Sequence, residues 1–220
     1  MEDYDIRTLV TEFGTKLQFV SLAAPTDLRR AAMEVHFGQF VAPELIQAWA
    51  PEGTEALGRY SSSPRPDRID IVEVRHAGTN YVVEANVIEV ASTPEGDEQP
   101  AVVYPVTLSL EKRQGEWKIV KMEKGAYSEL PQRRSIVGFW ECLPPKNPSL
   151  PTTGECALGI AVDQSDGHYA VDTRLMAAIV NIPMGAKVRV SGVVTPATHL
   201  SSIPKYDIDG IISATAIERL

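Results

Sequence analysis

Cysteine is nearly missing from this chain: Cys142 and Cys156 are the only two in 220 residues. That is too few for a disulfide-knitted scaffold, and without a CxxC spacing the pair makes no zinc signature. No run of about 18 apolar residues occurs, the length a membrane-crossing helix needs. The phosphate-cradling GxxxxGKS/T, the dinucleotide GxGxxG and the metal-binding HExxH are all absent, so no nucleotide, cofactor or metal is expected. The four histidines, His36, His76, His168 and His199, are scattered, with no paired spacing and no Ser/His/Asp pattern. Positive charge is also short. The net charge is −8, with 13 Lys/Arg against 21 Asp/Glu in residues 1–130 and 8 against 8 in 131–220. One part repels a polyanion and the other does not attract it, which argues against nucleic acid as a partner.

What is present changes character near residue 130, and this predicts two domains, 1–130 and 131–220, with the short polar segment Pro131-Gln132-Arg133-Arg134 as the boundary. The first opens with apolar residues Ile6, Leu9, Val10, Phe13, Leu17 and Val20, a spacing that predicts an amphipathic helix over 5–22. Asp27 is a plausible N-cap for a helix over 28–37, and Pro43 suits the first turn of a third over 44–50. A segment rich in Pro, Gly and Ser follows at 51–67. Beyond it, β-branched and aromatic stretches predict strands at 68–76, 81–90, 102–111 and 117–122, with turns at Gly78-Thr79-Asn80 and Gln114-Gly115-Glu116. Helices first and a strand meander afterwards predict an α+β fold with the helices on one face of an antiparallel sheet.

This order, with Pro105-Val106-Thr107-Leu108-Ser109-Leu110-Glu111-Lys112 followed by Gly115-Glu116-Trp117-Lys118-Ile119, resembles the nuclear transport factor 2-like superfamily, which includes the SnoaL-like proteins, over residues 5–125. The resemblance implies a curved, cystatin-like cone. It implies no single activity, because that fold hosts isomerases, dehydratases, binding proteins and inert modules. Glu12-Phe13-Gly14-Thr15-Lys16-Leu17, Val41-Ala42-Pro43-Glu44-Leu45 and Gly58-Arg59-Tyr60-Ser61-Ser62-Ser63-Pro64 resemble uncharacterised exported proteins of Gram-positive-type bacteria. The acidic start, Met1-Glu2-Asp3-Tyr4-Asp5, is unlike a secretory leader. Two readings stay open: a cytoplasmic protein, or an extracytoplasmic one whose leader or anchor lies outside this chain.

The second domain predicts strands at 136–143, 155–163, 169–173, 187–195 and 206–217, with a helix-like connection at 174–180. Three strands, a helix and two strands are the order of an OB-fold barrel. Lys187-Val188-Arg189-Val190-Ser191-Gly192-Val193-Val194 with 206–217 resembles the second half of that fold. Trp140-Glu141-Cys142-Leu143-Pro144, Gly154-Glu155-Cys156-Ala157-Leu158-Gly159 and Tyr206-Asp207-Ile208-Asp209-Gly210-Ile211 resemble a bacterial domain to which no activity attaches. Cys142 and Cys156 fall on the first two predicted strands, where a hairpin can set them opposite one another. Two buried thiols are the expectation for a cytoplasmic protein, whereas the resemblance to exported proteins implies a disulfide.

Candidate site residues follow from these folds. Proton-transfer chemistry in a cone needs a carboxylate or histidine among apolar walls that raise its pKa. Asp70 lies among apolar strand residues, Glu84 and Asn86 share a strand face with Val82 and Ile88, and His76 ends a strand, with Tyr104 opposite as a donor. These five are the pocket candidates, set against the ordinary reading of a solvent-facing sheet. In the barrel, Phe139, Trp140, His168 and Tyr169 are the candidate stacking residues, set against packing in the core or rim. The expected function is a non-catalytic extracytoplasmic binding or interaction module in a cell-envelope assembly, taking a protein partner or a small ligand, with a homodimer through the cone sheet as one arrangement. The alternatives are a small-molecule isomerase or dehydratase in the cone, and single-strand nucleic-acid binding by the barrel.

Overall fold

The computed structural model describes residues 2–93, 96–147, 156–163, 165–176, 182–202 and 204–220. Its chain divides into two compact units: Met1–Ser92 with Glu98–Glu129, and Leu130–Leu220 with Thr93–Asp97. The division falls just ahead of the polar Pro131–Arg134 segment expected at the boundary; Gln132 is buried and already begins a strand.

The first unit is α+β. Helices α1 (Glu2–Lys16), α2 (Thr26–Phe37) and α3 (Pro43–Trp49) precede strands β1 (Arg65–Ala77), β2 (Asn80–Ser92), β3 (Glu98–Arg113) and β4 (Glu116–Lys124). A two-residue strand β5 (Ser128–Glu129) pairs with β3. The four long strands form an antiparallel meander in sequence order. The first predicted helix is shorter than its apolar spacing suggested: α1 ends at Lys16 and a 3-10 turn, Leu17–Phe19, completes the segment. Pro43 occupies the first turn of α3, where its missing N–H costs nothing. Helix α2 begins at Thr26 after Pro25 and carries no side-chain cap, so Asp27 lies in the first turn instead of capping it. There its negative charge favours the helix dipole.

The core of this unit is helical on one side, from Ile6, Val10, Phe13, Met33 and Phe37, and sheet on the other, from Tyr81, Val83, Ala85, Val87, Leu108 and Ile119. Phe13 meets Phe37 edge-on with ring centroids 5.1 Å apart. Strand parity follows directly. On β2 the odd positions face the helices, so the even positions, Glu84 and Asn86 among them, lie on the outer face of the sheet. That face carries an Arg75–Glu84 ion pair and a Lys121–Glu123 pair at 2.6 Å beside Val82 and Ile88.

The second unit is a closed five-strand barrel. Its strands are β6 (Gln132–Cys142), β7 (Leu158–Val162), β8 (His168–Asp172), β9 (Lys187–Pro196) and β10 (Gly210–Arg219), in the order β10-β8-β7-β6-β9. All pairings are antiparallel except β10 with β8. Strand β6 serves both β7 and β9, and at its centre Gly138 lets the ladders converge: a Cβ there would stand 2.1 Å from the Ala161 carbonyl oxygen. The interior is small, built from Trp140, Ile160, Val188, Val190, Val194 and Ile212. Cys142 and Cys156 are disulfide-bonded, with Cα atoms 5.2 Å apart. Cys142 is the last residue of β6, whereas Cys156 lies two residues before β7, outside the strand predicted to hold it. Of the helix predicted over 174–180, Arg174 and Leu175 form a turn and 177–180 lie outside the described residues.

Candidate functional site

The sheet of the first unit has two ends. One carries the tight turns after β1 and β3; the other is where β2 runs out, β3 begins and β4 gives way to β5. At this second end the core face is no longer wholly apolar. Glu89 continues the inward parity of Tyr81, Val83, Ala85 and Val87, and it is only 8% exposed. It pairs with Val102 across β2–β3, immediately before a bulge in the ladder. Such bulges re-aim side chains beside binding sites. Tyr104, paired with Val87, stands one step along the same face and is 1% exposed.

Two further elements close around this spot. Lys124 ends β4 opposite Val106, and its Nζ donates to the Thr54 carbonyl at 2.7 Å. The chain then turns at Gly125, whose N–H donates to the Pro105 carbonyl at 2.8 Å. A Cβ at Gly125 would come within 2.6 Å of the Pro105 ring, so a glycine is needed for this approach. The turn delivers Tyr127, whose ring centroid lies 4.4 Å from that of Tyr104 and 5.5 Å from the Lys124 ammonium. From the other side comes the segment after α3, where the Tyr60 hydroxyl donates to the Gly53 carbonyl at 3.2 Å. Together these residues bound an open cavity of about 590 Å³, lined among others by Thr54, Tyr60, Pro64, Glu89, Val102 and Tyr127.

The electrostatics follow from burial. Burial pushes the Glu89 carboxyl above the usual range, and the Lys124 charge with a hydrogen bond from Tyr104 pulls it partly back. Burial likewise lowers the Lys124 ammonium, opposed by the charges of Glu55 and Glu89. Tyr104 is raised well above an ordinary phenol, by burial first and then by Tyr127 and Glu89. Tyr127 and Tyr60 are raised too, again by burial first. The phenols therefore stay protonated near neutrality and act as hydrogen-bond donors.

Comparison with protein-family models finds no match, and neither does comparison with curated proteins. The site rests on its own geometry.

Of the five pocket candidates, only Tyr104 lies at this site, buried beneath Tyr127. Asp70 is exposed and accepts from Arg68 Nε at 3.0 Å. His76 is exposed at the far end of β1, its ring centroid 4.1 Å from that of Tyr81. Glu84 pairs with Arg75, and Asn86 shares its outward parity. Asp70, Glu84 and Asn86 do not converge with Tyr104 because strand alternation puts them on the opposite face, whereas His76, the cross-strand partner of Tyr81, shares the inner face but stands at the other end of the sheet. Glu89 was missed, although the signal was there: the apolar alternation Tyr81, Val83, Ala85, Val87 continues onto it.

In the barrel, the same alternation divides the four ring candidates. Trp140 is buried and Tyr169 packs against the core, while Phe139 and His168 face outward. Phe139 is covered by Lys187, whose Nζ lies 6.0 Å from the ring, and His168 Nε2 is 3.4 Å from a Glu141 carboxylate oxygen. The four rings therefore do not form one stacking face, because Trp140 and Tyr169 point inward and Phe139 and His168 outward. A smaller cavity of about 380 Å³, lined by Lys146, Leu200, Tyr206 and Asp207 among others, also belongs to this unit. Among the described residues, no cluster of three or more His, Cys, Asp or Glu is placed to hold a metal ion.

Proposed function

We propose that this protein is a non-catalytic binding module of an extracytoplasmic assembly, and that its recognition site is the Glu89 cavity of the first unit. The observation that carries this reading is the cavity itself. At about 590 Å³ it falls within the roughly 300–1,000 Å³ range of small-molecule sites, with apolar and aromatic walls around a few fixed polar groups. Binding is favoured over chemistry because Glu89 is already compensated by Lys124 and Tyr104, and because the cavity is open to water, which blunts a general base.

The compartment is supported by the Cys142–Cys156 bond, since disulfides persist in oxidising surroundings. The nuclear transport factor 2-like reading of the first unit is supported by three helices covering one face of a four-strand meander. The OB-like reading of the second is supported by the strand order, in which the first three strands are consecutive and the fifth runs parallel to the third. The ion pairs on the outer sheet face give a homodimer through that face no support.

A second reading has a specific observation behind it: a buried carboxylate with a raised pKa beside a phenol donor is what proton transfer next to a carbonyl requires. Glu89, and not Asp70, His76 or Glu84, would be the base. A fragment screen followed by backbone amide NMR tests the leading reading. Saturable shifts at Thr54, Tyr60, Ser61 and Tyr127 without turnover are expected; consumption of any bound fragment, abolished in Glu89→Gln, would favour the enzyme.

A further inference from the structure

The cavity already holds one ammonium group, and its surroundings say what else it would accept. Lys124 Nζ sits 5.5 Å from the centroid of the Tyr127 ring and donates to the Thr54 carbonyl at 2.7 Å. Glu89 and Glu55 act on it, Glu55 also acts on Tyr60, and Glu129 is a third carboxylate on the cavity lining. Arg29, the cation that acts on Tyr60, is spent on backbone carbonyls of Leu22, Ala24, Ala50 and Pro51, and Arg65, next to Pro64, is paired with Glu98. The cavity lining itself carries two carboxylates, Glu89 and Glu129, against one lysine, in keeping with the acidic excess of residues 1–130. Tyr60 and Tyr127 are each about half exposed, at 49% and 50%, so their rings are available at the cavity. Aromatic faces beside carboxylates recognise alkyl and quaternary ammonium groups, whose apolar bodies would rest on Val102 and Pro64.

We infer that the cavity binds an organic cation, an ammonium group on a small apolar body, placed between Tyr60 and Tyr127 and paired with Glu89 and Glu129. This rests on the reading of the cavity as a ligand site and adds the chemical class of the ligand. A small anion would find Lys124 but meet the Glu89 and Glu129 carboxylates, and an uncharged molecule would gain nothing from the rings beyond contact. Lys124 is then the competitor inside the site: the ligand takes a share of the carboxylates and of the Tyr127 face that Lys124 now holds.

The test is titration of the full chain with choline, with its uncharged isostere 3,3-dimethyl-1-butanol and with butyrate, read by amide NMR and calorimetry. Choline should saturate with shifts at Tyr60, Ser61 and Tyr127, and bind roughly tenfold more tightly than the isostere. Glu129→Gln, at an exposed position where folding is not at stake, should weaken choline about threefold, and Glu89→Gln should weaken it more. Lys124→Met should tighten it about fivefold, whereas an anion site would lose its ligand with that change. Tyr127→Phe should keep the affinity that Tyr127→Leu loses. If the isostere or butyrate binds the same residues as tightly as choline, the cation assignment falls and the cavity remains a ligand site. If none of the three saturates, or if Lys124→Met weakens choline, the cation assignment is overturned, and the fragment screen alone then judges the cavity.

Discussion

Arg29 shows how a single side chain can hold a wall of the site without touching it. It is 7% exposed, and its guanidinium donates to the carbonyls of Ala50 at 2.6 and 2.8 Å, Leu22 at 2.6 Å and Pro51 at 2.8 Å. It thereby ties α2 to the start of the segment that carries Thr54, Tyr60 and Pro64. Arg29→Met keeps the length and removes the donors, leaving buried carbonyls unpaired; urea denaturation should show a loss of about 3 kcal/mol. Glu89 acts through pH. Its folded pKa lies above the ordinary 4.5, so the contribution to stability is full below that value and is lost as pH rises through the folded one. Thermal melts across pH should therefore show Glu89→Gln gaining on the wild type between acid and neutral conditions, less whatever Lys124 loses with its partner. A constant difference across that range would contradict the burial of Glu89. Neither residue was singled out from sequence. Arg29 sits in an amphipathic helix where arginine ordinarily marks the solvent face. Glu89 lies at the end of a strand, where alternation is read with least assurance because a bulge follows.

Among the elements, the most legible were those whose pattern is long and local. The four meander strands run one to four residues beyond their predicted ends, since hydrogen-bonded ladders continue past the last β-branched residue. The paired turn residues Gln114 and Gly115 both take positive φ, as a two-residue hairpin demands. Strand β5 was invisible, because two residues give no periodicity and only pairing to β3 defines it. Yet that connection brings Tyr127 over Tyr104. Gly125→Ala forces the turn away from the Pro105 ring, and loss of the Tyr127 amide shifts on ligand addition, with the barrel spectrum unchanged, is the expected outcome. The disulfide belongs to this scale too. It closes the β6–β7 connection across 14 positions, and the chain-entropy model assigns a loop of that size about 3 kcal/mol. Replacing both cysteines by serine should lower the stability of the barrel by that order, measured by denaturant titration followed at Trp140. An unchanged midpoint would remove the bond from the account of the fold.

For the whole molecule, two hydrophobic cores with no shared buried residue predict two unfolding units. Calorimetry should resolve two transitions, of which reduction of Cys142–Cys156 moves one and a cavity ligand the other. The two-part organisation was legible because charge and pattern both change near residue 130. The cavity was not, since it forms where the 51–64 segment, β2, β3 and the β4–β5 turn meet, and no local pattern reports a meeting of that kind. The measurement that bears most directly on the central claim is amide NMR of the intact chain during titration with fragments that include ammonium compounds. Saturable shifts confined to Thr54, Tyr60, Ser61, Lys124 and Tyr127 are expected, with affinity clearly weakened in Glu89→Gln. Shifts confined to the barrel, or shifts at the cavity that survive that substitution unchanged, would contradict that claim.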